Sequence, residues 1–404
     1  METKKQKKRE MWIKYRHRIT RNILCGVLAP YSTLKYGVKA DRFEAQGNRA
    51  YLIMMNHQTP FDQFFIGMSF QGPVYYIASE DIFSKGCISS VIRFLAAPIP
   101  IKKQTTDLHA VMTCMKIAKE GGTIALAPEG NRTFSGKTEY IKPSIVKLAR
   151  ALKLPIAIYR IEGGYGVQPR WSDTVRKGKM RAYVSRVIEP EAFNALTDDE
   201  LYQLLLKELY VNEGTVDGTY QHPKLAEYLE RAMYICPHCG LSQFESHADI
   251  IECKKCGQKI RYLPTKELEG INQEFPFRFV TDWYDYQCDF INNWDPRPYQ
   301  DAPLYQDVAR LSEVILYQNK RPLRQQVSVS LYGNRITIDD DLVFPFDETK
   351  AVTVLGRNKV NIYFGDKVYQ LKSDKRFNAL KYVNTFNRYK NISEGKEDGK
   401  FLGL

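Results

Sequence analysis

Between residues 49 and 161 the chain alternates short apolar runs with stretches whose apolar residues recur every three or four positions. The runs at 51–55, 74–78, 98–101, 123–127 and 156–161 are expected as strands. The segments near 60–70, 84–95, 105–119 and 142–152 read as helices, the third stopped by Gly121 and Gly122. A further strand is expected over 179–187. Such alternation predicts an α/β fold with a mixed, largely parallel sheet flanked by helices.

Beyond residue 196 the pattern changes twice. Residues 197–233 read as helical, with Thr197 and Asp198 opening a Leu-rich segment and Pro223 starting another. Residues 272–302 hold nine aromatics and six acids against two Arg, and their pattern predicts no fold. Residues 303–320 read as a helix. From 327 to 371 short alternating strands are expected, joined by Gly-Asn and Gly-Asp turns, and 375–390 as a closing helix with Phe377, Leu380, Val383 and Phe386 on one face. This C-terminal segment resembles a pleckstrin-homology-like module, for which docking of lipid or protein and plain packing are both open.

At the other end, Trp12, Tyr15, Ile19, Ile23 and Val27 share a helical face, with Lys14, His17, Arg18 and Arg21 opposite. Residues 1–22 carry nine Lys or Arg and two Glu, a large part of the net charge of +13. Two readings stand for this stretch. It is a helix in the headgroup layer of an anionic membrane, anchored by Trp12, or a helix packed on the protein with its basic face in water. No run of about 18 apolar residues exists, so neither a spanning helix nor a cleavable secretory signal is expected. The 404 residues suffice for two or three domains.

Two segments carry chemistry. Asn56-His57-Gln58-Thr59-Pro60-Phe61-Asp62 follows the first strand, at the end of a strand where open α/β sheets place ligands. Asp62 holding one imidazole nitrogen would leave the other free to take a hydroxyl proton. The same residues also form a helix start, Thr59 and Asp62 as a capping box around Pro60, which explains them without catalysis. The second segment, Ala127-Pro128-Glu129-Gly130-Asn131-Arg132-Thr133, ends another strand, and Arg132 offers a planar fork for a phosphate. Lys102 and Lys103 end a third strand with two cations.

Taken in order, these elements resemble the four blocks of the glycerolipid acyltransferase family over roughly residues 45–165. The Asn-His-x-Ser-x-x-Asp block is matched from Asn56 to Asp62 with Thr59 in place of Ser. Lys103 stands where the second block ends in Arg. Ala127 to Thr133 resembles Phe-Pro-Glu-Gly-Thr-Arg-Ser, and Leu154-Pro155-Ile156-Ala157-Ile158 resembles the fourth block. The resemblance implies O-acyl transfer from an acyl thioester, acyl-CoA or acyl carrier protein, to the hydroxyl of 1-acylglycerol-3-phosphate or a similar lysophospholipid. It implies His57 as general base, Asp62 as its orienter, and Asn56, Lys103, Glu129, Gly130 and Arg132 around the acceptor. Glycerol 3-phosphate or another lysolipid is the alternative acceptor. The family also implies work at the cytoplasmic face of a membrane, peripheral or monotopic.

Cys236-Pro-His-Cys239-Gly and Cys253-Lys-Lys-Cys256-Gly lie thirteen residues apart. The spacing resembles a zinc ribbon, with one structural zinc ion in a four-cysteine site. Without a secretion signal, metal binding is favoured over disulfides, though paired redox dithiols remain the other reading. A zinc ribbon in a basic chain also raises a nucleic-acid binder, and a lipid-binding adaptor without catalysis is a further class. The few cations of 234–262, offset by Glu245, Asp249 and Glu252, argue against nucleic acid. A protein partner for the ribbon or the C-terminal module is open. The expected organisation is a membrane-surface segment at 1–40, an acyltransferase domain with trailing helices at 41–233 and a zinc ribbon at 234–262. A connecting segment at 263–326 and a β-rich module at 327–404 complete it.

Overall fold

The structure, a computed structural model, describes residues 11–101 and 108–395. Its first sheet has seven strands: β1 (Val38–Ala40), β2 (Leu52–Met55), β3 (Val74–Ser79), β4 (Ile99–Ile101), β5 (Thr123–Leu126), β6 (Ile156–Glu162) and β7 (Met180–Ile188). They lie in the order β1-β7-β6-β2-β5-β3-β4, with only the β6–β7 pair antiparallel. β2 sits at the centre, and its four residues are all buried. Both faces of the sheet are covered, which is why the strand reads as an unbroken apolar run.

Alternation across β2 builds two cores. Leu52 and Met54 join Ile124, Ile158 and the apolar stripes of helices α4 (Leu108–Lys119), α5 (Ser144–Leu152) and α6 (Asp198–Leu209). Ile53 and Met55 face the opposite layer, with Phe65 and Ile66 of α2 (Asp62–Ser69) and Tyr36 of α1 (Tyr15–Tyr36). Strands β2 to β7 and helices α2, α3 (Cys87–Ala96), α4 and α5 fall where the apolar pattern puts them, within a few residues; β1 was not expected.

α1 departs from the reading of a helix packed by its apolar face with its basic face in water. Its apolar positions are bare: Ile19, Ile23, Val27 and Leu34 are 46%, 62%, 66% and 87% exposed. Its polar face does the packing. His17 is buried against the Tyr75 hydroxyl at 3.0 Å, and Arg21 donates to the carbonyls of Gly67 and Phe70. Trp12 precedes the helix and is turned inward, its Nε1 donating to Ala97 O at 3.3 Å, so it is no interfacial anchor. The Glu120 carboxylate fixes it there by accepting the Trp12 and Ile13 N–H groups. Beside α1 lies α3 (Cys87–Ala96), where Ile88, Val91, Phe94 and Leu95 are exposed as well. Arg16 joins the two helices, stacking 4.2 Å from the Phe94 ring centre and donating to Phe94 O.

After α6 the expected second helix is absent. Residues 222–233 run irregularly with one short turn, Leu229–Arg231, and Tyr228 at φ 73° breaks the helical path. Next comes a four-stranded antiparallel sheet, Phe244–His247, Ile250–Cys253, Lys259–Tyr262 and Leu268–Gly270. The aromatic, acidic stretch folds as α7 (Val280–Asn293), with Trp283 and Tyr284 buried.

The expected helix at 303–320 is instead β8 (Tyr305–Glu313). Tyr305, Ala309 and Leu311 are buried on alternate positions, but Asp307 stands among them and Val308 is turned out, so the apolar residues do not show the two-residue alternation of a strand. It opens an antiparallel sheet with β9 (Arg321–Leu331), β10 (Arg335–Ile338), β11 (Leu342–Pro345), β12 (Thr349–Leu355), β13 (Lys359–Phe364) and β14 (Lys367–Lys372). α8 (Leu380–Ser393) closes it. Phe377, Leu380, Val383 and Phe386 are buried as expected, and so are Tyr382, Asn384, Arg388 and Asn391. One apolar core runs through the cysteine-bearing unit, α7, this sheet and α8, and takes in Phe134 and Trp171 of the first domain.

Candidate active site

β2 ends at Met55, and the chain turns at once toward α2. Asn56 pins the turn: its Nδ2 donates to Ile161 O at 2.8 Å and its Oδ1 accepts the Ile161 N–H at 2.8 Å. The side-chain amide thus acts as a strand partner for β6. Asp62, fully buried, accepts the N–H groups of Gln58 (2.7 Å) and Thr59 (2.9 Å) and the Thr59 hydroxyl (2.6 Å). The same carboxylate stands 2.8 Å from His57 Nδ1. The helix begins at Asp62 with Phe61 at its N-cap and no side-chain cap bond, so instead of the expected capping box the Asp62 carboxylate braces the preceding turn and the imidazole together, for which it has acceptor sites enough. The imidazole is a quarter exposed, so its far nitrogen reaches solvent.

β5 feeds the second loop. Gly130 donates its N–H to Ala127 O at 2.9 Å and takes φ 70°, a left-handed turn that glycine accepts without strain. Glu129 points down from this turn. It accepts the His57 N–H at 3.1 Å and the Glu139 N–H at 2.8 Å, and Thr133 N–H closes the link on His57 O at 3.3 Å. The two loops are laced together through backbone groups. Burial pushes the Glu129 carboxyl up to about 8, opposed by the N–H groups of Glu139 and His57.

Arg132 follows. Its carbonyl is held by Arg170 at 2.7 Å, while Arg170 stacks 4.1 Å from the Phe134 ring centre. The Arg132 Nη1 is buried without a hydrogen-bond partner. Burial, then the nearby charge of Arg357, brings its guanidinium down to about 10. Pro60, from the His57 turn, and Arg132 line one cavity of about 420 Å³. The turn that carries His57 thus reaches this cavity through Pro60; the His57 side chain itself is not part of the lining. Lys103, matched to the second sequence block, lies outside the described residues.

Sequence reasoning passed over the far wall of that cavity. It is made by Arg357, Lys372 and Lys375 from the C-terminal module, with Arg231 and Asp173 between. Arg231 is 1% exposed and donates to Asp173 Oδ1 at 2.7 Å and to Trp171 O at 2.8 Å. Arg357 approaches the same Asp173 oxygen at 3.1 Å. Burial would raise Asp173, but these guanidinium groups hold it below the usual carboxylate range. Nothing local in the Gly356-Arg357-Asn358 turn marks it, since 225 residues of chain separate Arg357 from Arg132.

The four knuckle cysteines converge. Their Sγ atoms all lie within 4.8 Å of one another, with Cys236–Cys256 at 3.7 Å and Cys239–Cys253 at 3.6 Å. A disulfide needs about 2.0 Å. A tetrahedron with metal–sulfur bonds of about 2.3 Å has edges of about 3.8 Å, so the donor set fits a metal such as zinc with no position left for substrate.

Comparison with known proteins matches residues 38–161 to the Acyltransferase family model. The 1-acyl-sn-glycerol-3-phosphate acyltransferase of Bacillus subtilis (strain 168) is 22% identical over 170 residues, 42% of this chain and 82% of that one. The crystal structure of the 1-acyl-sn-glycerophosphate (LPA) acyltransferase PlsC from Thermotoga maritima aligns with a TM-score of 0.39 at 20% identity. It covers 47% of this chain and 78% of that chain. The family match at 38–161 agrees with the resemblance to glycerolipid acyltransferases over roughly residues 45–165.

Proposed function

We propose that this acyltransferase-family domain moves an acyl group from an acyl thioester to the free hydroxyl of a lysophospholipid-like acceptor, with 1-acylglycerol-3-phosphate preferred. The observation that carries the reading is the His57–Asp62 pair at 2.8 Å, on the same turn as Pro60, which lines a cavity together with Arg132.

In this reading Asp62 holds the Nδ1–H of His57, and Nε2 takes the proton of the acceptor hydroxyl. The oxygen attacks the thioester carbonyl, backbone N–H groups of the two loops meet the oxyanion, and the departing thiolate takes the proton back from His57. No protein nucleophile is used. Arg132 holds the acceptor phosphate as a bidentate fork. Asn56, Glu129 and Gly130 act by position, since their polar groups serve the loops. Lys103 assists by its place in the sequence block.

The bare faces of α1 and α3 support work at a membrane. Exposed apolar residues on two neighbouring helices, next to a chain start rich in Lys and Arg, suit an anionic bilayer surface. No described helix is long and apolar enough to cross a membrane. The four cysteines hold a structural zinc ion.

The experiment is a product screen. Purified protein receives mixed lysolipids with acyl-CoA or acyl carrier protein thioester, and products are read by lipid mass spectrometry. A diacyl phospholipid product that disappears in His57→Ala supports the reading. Near-normal transfer by His57→Ala overturns it.

A further inference from the structure

The cavity behind Arg132 is larger and more basic than one phosphate requires. Five cations line it, Arg132, Arg231, Arg357, Lys372 and Lys375, against the single carboxylate of Asp173. That carboxylate is already engaged by Arg231 and Arg357. One phosphate carries at most two negative charges, which leaves half of the excess of four unanswered. Two donors stand unused in the protein itself, buried Arg132 Nη1 and Arg357 Nε. Buried guanidinium N–H donors that lack a partner are costly, and an anion relieves them.

The cations stand on two walls. Arg132 comes from the loop after β5 in the acyltransferase domain. Arg357 comes from the β12–β13 turn, and Lys372 from the end of β14. Arg170 locks the walls together, donating to Arg132 O at 2.7 Å and to Gly356 O at 2.8 Å. The turn is thus fixed across the cavity from Arg132.

We infer that the C-terminal module completes the acceptor site, and that the seam is a second anion subsite for an acceptor headgroup bearing a further phosphate or carboxylate beyond the first phosphate. The inference rests on Arg132 as the anchor of that first phosphate. Arg357 is its principal ligand, and Lys372 adds charge at the rim.

The test is binding, independent of turnover. Full-length protein, and its His57→Ala variant, are titrated calorimetrically with glycerol 3-phosphate and with 2,3-bisphosphoglycerate. The bisphosphate is expected to bind both proteins about 10- to 100-fold more tightly, the range of an added charge-assisted contact. Arg357→Gln is expected to remove most of that preference and keep glycerol 3-phosphate binding. Lys372→Gln, on an exposed side chain, is expected to reduce it several-fold without risk to folding. Equal affinities in the parent protein, or a preference untouched by both variants, overturn the inference. Displacement of the bisphosphate by free CoA but not by 1-acylglycerol-3-phosphate gives the cavity to the donor and overturns it too. Because no step is catalysed, failure of acyl transfer in the product screen leaves this result readable on its own.

Discussion

Thr281 donates its hydroxyl hydrogen to the carbonyl oxygen of Ser135 at 2.8 Å. That bond joins α7 to the loop that carries Arg132. Lys137, two residues on, pairs with Asp285 of the same helix at 2.9 Å. α7 is itself clamped to the cysteine knuckle: Trp283 Nε1 donates to Ile235 O at 2.8 Å, and Gln287 Oε1 accepts the N–H groups of Tyr234 and Ile235. The cysteine-bearing unit therefore has a mechanical line to the loop that carries Arg132. It runs through packed side chains, not through chemistry.

From this line follows the result of metal removal. A strong chelator at neutral pH is expected to release one zinc per chain, read by native mass spectrometry, and to lower kcat/KM for the acceptor by about tenfold or more as the knuckle loosens. Thr281→Val is expected to reproduce a smaller loss, with zinc content unchanged. Full activity in zinc-free protein would separate the two units.

His57 and Asp62 are expected to respond differently. Removing the base by His57→Ala is expected to cut turnover by about 10²- to 10⁴-fold with little change in stability. Asp62→Asn also weakens the turn, because an amide cannot accept from Gln58, Thr59 and His57 together. It is expected to cost about 1–3 kcal/mol of folding free energy as well as activity. Parallel thermal melts and initial rates separate these effects.

Glu129 makes a prediction about pH. Its folded-state value is raised from 4.5 to about 8, so the folded chain binds a proton more tightly than the unfolded chain. The stability this contributes is complete below 4.5 and is lost as pH rises toward 8. The loss is at most about 5 kcal/mol. Chemical denaturation from pH 5 to 9 is expected to show wild type falling relative to Glu129→Gln. Parallel curves would contradict it.

What the sequence revealed follows from how local each signal is. The strands β2, β3, β5 and β6 and the loops holding His57 and Arg132 were legible because apolar runs, a carboxylate-braced turn and a glycine turn each sit within a few residues. β8 was not, because Asp307 falls on its inward side and Val308 on its outward side, which hides the alternation. Trp12 was misplaced because a helical wheel cannot show that Glu120, 108 residues away, captures its backbone. Arg170, Arg231 and Arg357 were invisible for the same reason. Each gains its role from a partner supplied by another part of the fold.

The orientation of α1 leads to the last prediction. Burial of His17 and the bonds of Arg21 to the Gly67 and Phe70 carbonyls fix which face is turned out, so Ile23 and Val27 on α1 and Phe94 on α3 stand bare. A charge at such a site costs nothing in water, since no packing is lost, but opposes entry into lipid. Ile23→Glu combined with Val27→Glu is expected to leave the melting temperature within about 2 °C of wild type, as exposed substitutions do. The same change is expected to weaken sedimentation with anionic vesicles by about tenfold or more, since each apolar side chain that enters lipid contributes about 1–3 kcal/mol. Raising the salt concentration tests the basic part separately, because screening weakens the Lys and Arg contribution and not the apolar one. Vesicle binding that survives the double substitution but vanishes in salt would give the attachment to charge alone and leave the bare faces of α1 and α3 for another surface.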